Sequence, residues 1–84
     1  MKPIRLTFHA LEQCQLRGAT EDEVRVAIES GTREVANKSR IRCRFNFPFD
    51  NKWREEFYRV KQVSPIIKEE ETEIVVVTVF TYYF

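Results

Sequence analysis

Glycine, proline and cysteine are scarce in this chain, whose 84 residues include two glycines, three prolines and two cysteines. So few glycines and prolines exclude a collagen-like, linker-rich or low-complexity protein. The two cysteines, Cys14 and Cys43, form neither the disulfide framework of a small secreted protein nor a closely spaced metal-binding pair. We therefore expect two reduced thiols in a cytoplasmic protein.

Long hydrophobic runs are also missing. The longest one, over residues 74–79, is interrupted by Thr78 and is far shorter than the roughly 20 residues that cross a bilayer. The N-terminal segment lacks the apolar run of a signal peptide. The sequence therefore predicts no membrane segment. With His9 as the only histidine, and with no glycine-rich phosphate loop, it also predicts no metal site and no cofactor.

What is present predicts one globular domain over residues 1–84. The chain is 43% hydrophobic and 13% aromatic, which is enough for one core, and its length leaves no room for a second. The net charge of +1 is unevenly distributed, because residues 33–61 carry nine basic and four acidic side chains. This middle third is the predicted anion-facing surface.

Two helices are predicted near the N-terminus. Thr7 is the right residue type to cap a helix over residues 9–17, which then ends at Gly18. Thr20 and Glu23 have the spacing of a capping box, which starts a second helix. The short connection at Gly18 predicts that the two helices form an αα-hairpin.

The hydrophobic period then changes from 3.6 to 2, which predicts strands. Residues 40–47 alternate strictly and form the clearest strand, while residues 48–52 resemble a loop. Further strands are predicted over residues 33–36, 54–63 and 73–83. Residues 4–7 are either an edge strand or the lead-in to the first helix. We predict an α+β fold in which the αα-hairpin packs on one face of a three- to four-stranded antiparallel sheet.

The alternating strand separates its apolar side chains from its arginines, so that one face carries Arg40, Arg42, Arg44 and Asn46. The apolar face must cover the core, because a slip of one residue would bury three guanidinium groups. Arginines at alternate positions lie about 7 Å apart, a spacing close to that of phosphates on an extended nucleic-acid strand. The alternative is a solvated face on which the arginines pair with glutamates of neighbouring strands, such as Glu55, Glu56 or Glu73.

His9 carries the one type of side chain whose ordinary charge change falls near neutral pH. In the first turn of a helix, such a histidine is either a proton-transfer group or a residue that packs and caps. Several aromatic residues are candidate base-stacking surfaces, and most of them are equally explained as core. Tyr82 and Tyr83, at the end of the last strand, are the ones expected to be exposed.

Two short patterns resemble a known family. The first is His9 and Ala10, then Arg17 and Gly18, then Thr20, Val24 and Gly31, and the second is the apolar ending over residues 76–80. Both are similar to the domain of unknown function 4258 family. That family is similar in layout to the RelE-like toxins, which have two helices followed by a curved antiparallel sheet. Proteins of that broader group are often metal-independent ribonucleases.

The resemblance implies a RelE-like, toxin-type protein that acts as a metal-independent endoribonuclease or as an RNA-binding domain. His9 would be the general base or acid and Arg17 a second catalytic residue, with RNA and a small antitoxin-like protein as partners. The family often has a further arginine one turn after its histidine, where this chain has Gln13.

Because Gln13 stands in place of that arginine, other groups must stabilise the negative charge of the transition state. The alternating pattern, and not the resemblance, assigns this role to Arg40, Arg42 and Arg44. Because the first helix is expected to cover the opposite face, phosphate ligands near a sheet edge are also considered: Arg5, Arg54, Arg59 and Lys61. Two alternatives stay open, namely a non-catalytic protein-interaction module and a homo-oligomeric domain.

Overall fold

The computed structural model describes residues 2–84. Along these residues the elements are β1 (Ile4–Leu6), α1 (Phe8–Arg17), α2 (Glu21–Ser30), β2 (Thr32–Asn37), β3 (Arg40–Trp53), β4 (Glu56–Glu69) and β5 (Ile74–Tyr83). The strands form one sheet in the spatial order β1-β5-β4-β3-β2. The fold is therefore α+β, and neither described helix has the length and apolar character needed to cross a membrane.

The predicted three- to four-stranded antiparallel sheet is wrong, because the sheet has five strands and is mixed. β1 pairs with β5 in parallel, with Ile4 opposite Ile74, whereas the other neighbouring strands are antiparallel. The helices also depart from a simple αα-hairpin, since α1 packs mainly on β5 and α2 packs on β3 and β4. A strand of three residues is too short to show a period, so its pairing depends on the rest of the fold.

The predicted helix caps are confirmed, and α1 begins at Phe8, one residue before its predicted start. The Thr7 hydroxyl accepts a hydrogen bond from the Ala10 amide at 3.1 Å. At α2, Thr20 and Glu23 form the reciprocal capping box. Gly18 ends α1 with φ of 76°, a left-handed conformation that glycine adopts without steric strain.

The two longest strands extend beyond their predicted ends. The predicted loop over residues 48–52 is wrong, because β3 continues to Trp53 through a register shift between Pro48 and Asn51. Pro65 lies inside β4, which is a central strand. Since proline has no N–H to donate, the β3–β4 ladder has a gap between the Arg42–Ile66 and Phe45–Val63 pairs.

The core lies between the helices and one face of the sheet. It is built from Ala10, Cys14, Val24, Ala27, Ile28, Cys43, Val63, Ile67, Val76 and Val79, with Ile4 and Ile74 at one end. Cys43 faces the helices, as the alternation predicts, and both cysteines are buried free thiols. The opposite side of the sheet, here called the open face, carries no helix.

Candidate functional site

β5 is an inner strand at its start and an edge strand at its end, because β1 covers only its first three residues. A register shift opposite Ile66 leaves Val77 as an extra residue, which is a β-bulge. Thr78 pairs with Ile66, which in turn pairs with Arg42. Because directly opposed residues point to the same side of a sheet, Thr78 lies on the open face with Arg42, as does Phe80 two residues further on.

Helix α1 lies along this edge of β5. His9, Gln13 and Arg17 follow one another at intervals of four residues and so share one face of the helix. His9 is exposed, and its Nε2 atom lies 3.1 Å from the Thr78 hydroxyl. Arg17 Nη1 donates a hydrogen bond to the Val79 carbonyl at 2.9 Å. The catalytic residues expected from the sequence therefore reach the open face around the edge of β5.

Two arginines from different elements meet at the Phe80 ring. The guanidinium carbon of Arg17 lies 4.6 Å from the ring centre, and that of Arg42 lies 5.6 Å from it. Such distances allow cation–π attraction, because the face of an aromatic ring is electronegative. Arg42 Nη1 also lies 3.5 Å from the Tyr82 hydroxyl. The result is a positively charged aromatic surface, here called the Phe80 surface: Arg17, Arg42, Phe80 and Tyr82.

Tight contacts at the carboxyl end of α1 hold Arg17 in place. The Arg17 carbonyl accepts hydrogen bonds from the Thr81 hydroxyl at 2.9 Å and from the Tyr83 hydroxyl at 2.6 Å. Burial raises the pKa of Tyr83, which favours the protonated hydroxyl that donates this hydrogen bond. Tyr83 also stacks on Trp53, with ring centres 5.0 Å apart. The backbone that carries Arg17 is thereby fixed to the last strand.

Arg44 continues the arginine row and takes part in a network of side chains. Its Nε atom donates to Glu34 at 3.0 Å, and its Nη1 atom donates to Gln62 Oε1 at 2.9 Å. Gln62 Nε2 then donates to Asn46 Oδ1 at 2.8 Å. The glutamate pairing considered as an alternative thus holds for Arg44, whose guanidinium also lies 5.9 Å from the Tyr82 ring centre. Arg40 is exposed at the start of β3.

Lys61 and Arg54 lie away from the open face. Lys61 is 7% exposed, and its Nζ atom bonds to the Gly18 carbonyl at 2.9 Å and to Glu23 at 2.8 Å. Arg54 donates to the Leu16 carbonyl at 3.0 Å, where it meets the negative end of the α1 dipole. Both cations therefore bind protein groups at the end of α1 and lie outside the candidate site.

Arg5 also binds a side chain of this protein. Its Nε and Nη2 atoms both bond to the Glu73 carboxylate at 3.0 Å, joining β1 to the residue before β5. This hydrogen bonding lowers the pKa of Glu73 and raises that of Arg5. Arg59 is exposed on the part of β4 that pairs with the chain end at Phe84.

Sequence reasoning missed Thr78 and Phe80. Residues 74–80 are apolar on both faces of the strand, which predicts a buried central strand and not an edge. The bulge at Val77 hides the alternation, so only the strand pairing shows which side each residue occupies. Ser64, which pairs with Phe80, was also missed: its hydroxyl is buried and has no hydrogen-bond partner within residues 2–84.

No protein-family model, curated protein or solved structure matches the chain. Within the described part of the chain, no three His, Cys, Asp or Glu side chains lie close enough together to hold a metal ion. The groups that line the candidate site are guanidinium, aromatic, amide, hydroxyl and imidazole groups. Their chemistry favours an anionic, aromatic ligand.

Proposed function

We propose that this chain is a RelE-like, toxin-type cytoplasmic protein that binds single-stranded RNA on its open face, beside α1. The observation that carries the proposal is the meeting of Arg17 and Arg42 at Phe80. Proteins that bind single strands combine cationic groups for the phosphates with aromatic rings on which bases stack. The resemblance to the domain of unknown function 4258 family supports the same function.

We further propose that the bound RNA is cleaved without a metal ion. His9 takes the proton of a 2′-hydroxyl, whose oxygen attacks the adjacent phosphorus. The bond from phosphorus to the 5′-oxygen breaks, and that oxygen takes a proton from water, which leaves a 2′,3′-cyclic phosphate and a 5′-hydroxyl. Arg17 and Arg42 stabilise the negative charge that develops on the phosphoryl oxygens. His9 contacts Thr78, and Phe80 lies two residues further along the same strand. The two strand positions are about 7 Å apart, which is close to the length of one nucleotide.

Fluorescence anisotropy with labelled single-stranded RNA tests the binding step. The wild type should bind with an affinity that falls as salt rises, because phosphate contacts release counterions. Phe80→Leu should lose about 1–3 kcal/mol of binding free energy through the lost stacking. Arg42→Gln should also weaken binding and reduce its salt dependence by about one phosphate contact.

Arg25→Gln is the matched control, because Arg25 is an exposed arginine on α2, away from the open face. Its substitution removes the same charge and should leave most of the affinity intact. A wild type that does not bind RNA, or a control that loses as much affinity as Arg42→Gln, contradicts RNA binding at this surface.

A second candidate function is protein interaction through β2. All six residues of this edge strand are exposed, and Val35 is 81% exposed. An open strand edge is a ready site for an added strand from a partner protein, such as a small antitoxin-like protein, or from a second copy. Light scattering on wild type and Val35→Lys tests self-association, and a monomer in both cases excludes the homo-oligomer.

A further inference from the structure

A hollow of about 330 Å³ lies where α2 passes into β2, against the middle of β3. Its polar lining comes from Ser30, Thr32, Arg44, Asn46 and Gln62. This volume is at the small end of ligand-binding pockets, which is the size range of a single planar ring system and not of a folded segment. The hollow shares Arg44 with the arginine row, so a ligand on the open face can enter it.

One wall of the hollow is rigid. β2 pairs with β3 only as far as Arg44, so the strand edge beyond that residue stays open and gives the hollow its mouth. Gly31 packs against the backbone carbonyl of Arg44 so closely that a Cβ atom would overlap the carbonyl oxygen. The end of α2 is therefore fixed against β3.

The hydrogen-bond network in the hollow has a forced direction. Arginine can only donate, so Gln62 must turn its oxygen toward Arg44 Nη1, 2.9 Å away. The Gln62 amide nitrogen then faces Asn46, which must present its oxygen in return, at 2.8 Å. Asn46 Nδ2 is left pointing away from the network, and within residues 2–84 it makes no hydrogen bond.

The unused groups of this network are mainly donors. They are both hydrogens of Asn46 Nδ2, the second hydrogens of Gln62 Nε2 and Arg44 Nη1, and both hydrogens of Arg44 Nη2. Asn46, Gln62 and Tyr82 form one row across three strands, because Gln62 pairs with both of the others. A base held by the donors is therefore next to an aromatic ring on which a neighbouring base can stack.

We propose that this hollow is a nucleobase-binding site selective for guanine in the RNA that the open face binds, an inference that rests on the proposed function. Guanine presents two adjacent acceptors, O6 and N7, to which such donors can bond as a pair. Adenine places a donor beside N7, and the exocyclic amine of cytosine is also a donor. Donors that face donors leave unmade hydrogen bonds, which costs affinity.

The test compares four labelled oligouridine strands that differ only at one central position, which is G, A, C or U. Anisotropy titrations at one salt concentration give the ratio of the dissociation constants. The strand with guanine should bind about tenfold more tightly than the strand with adenine, as expected for one good bidentate contact. Asn46→Asp replaces the donating amide group with an acceptor of similar shape and should abolish most of this ratio.

Asn37→Asp is the matched control, because it adds the same negative charge at an exposed position outside the hollow. It should weaken all four strands together and keep the ratio. Equal affinity of the wild type for all four strands overturns guanine selectivity while RNA binding stands. A ratio that survives Asn46→Asp also overturns it, and a wild type that binds none of the strands overturns the proposed function itself.

Discussion

The His9 imidazole and the Thr78 hydroxyl lie 3.1 Å apart, although 69 positions separate them in the sequence. This contact joins the first turn of α1 to the open face of the sheet across the edge of β5. It resolves the difficulty that a helix packed on one face should keep His9 away from arginines on the other. Arg17, two turns further along α1, reaches the same face at Phe80.

Replacement of His9 tests the proposed cleavage. His9→Ala should reduce the rate of single-stranded RNA cleavage by about 10²–10⁴-fold, because a positioned proton-transfer group contributes about that much. RNA affinity should change little, since the stacking and phosphate contacts remain. Gln15→Ala, at an exposed position on another face of α1, serves as the control. Undiminished cleavage by His9→Ala, or no cleavage by the wild type, contradicts the catalytic role.

The buried ion pair between Lys61 and Glu23 predicts a large loss of stability on substitution. The two side chains are only 9% and 20% exposed. Lys61→Ala should lower the free energy of unfolding by about 3–5 kcal/mol, because it leaves a carboxylate without its partner in a poorly solvated site. Urea denaturation measures the change.

Lys68→Ala is the comparison for that measurement, since Lys68 pairs with Glu70 at 3.7 Å on the surface, where both side chains are nearly half exposed. It should cost only about 0–1 kcal/mol. Glu23→Gln separates the ion pair from the capping box, because glutamine can still accept the Thr20 amide hydrogen bond. Similar losses for Lys61→Ala and Lys68→Ala would falsify the buried-pair interpretation.

Gly18→Ala should destabilise the junction between the helices. Gly18 has φ of 76°, and an added Cβ would lie 2.6 Å from the Tyr83 hydroxyl oxygen and 2.7 Å from the Trp53 ring. Backbone strain of this kind costs about 1–3 kcal/mol, to which the close contacts add. Thermal unfolding should show a lower Tm than for Gln15→Ala, an exposed position on α1. An unchanged Tm in the glycine variant contradicts the tight packing at this site.

The buried thiols predict a loss of stability at alkaline pH. Burial raises the pKa of Cys14 and of Cys43 in the folded state. The unfolded chain therefore loses these protons first, once the pH passes the ordinary thiol pKa of about 8.5. The contribution of the two thiols to the free energy of unfolding is fully present below that pH. It is lost as the pH rises through their raised pKa values in the folded state.

Urea denaturation at a series of pH values measures this effect. Between about pH 8 and 10, the free energy of unfolding should fall less steeply for the double variant Cys14→Ala, Cys43→Ala than for the wild type. The variant should nevertheless be less stable at pH 7, because both side chains belong to the core. Parallel pH profiles for the two proteins would show that the thiols do not cause the decline.

Several elements could be predicted because their signals are local. The capping box at Thr20 and the end of α1 at Gly18 depend on hydrogen bonds and backbone angles within a few residues. The face assignment of Cys43 follows from strict alternation, since the wrong register would bury arginines. By contrast, a proline in a strand normally indicates an edge or a bulge, yet Pro65 lies in a central strand, where a neighbouring gap in the ladder accommodates its missing N–H.

The sequence by itself determined the two helices, the alternating arginine strand and the side of that strand that faces the core. Only the tertiary structure decided that β1 joins β5 in parallel, that Val77 forms a bulge and that His9, Arg17 and Arg42 reach the same face of the sheet. The physical reason is the range of the interactions. Caps and periodicity act between near neighbours, whereas strand pairing joins segments tens of residues apart and depends on how the whole core packs.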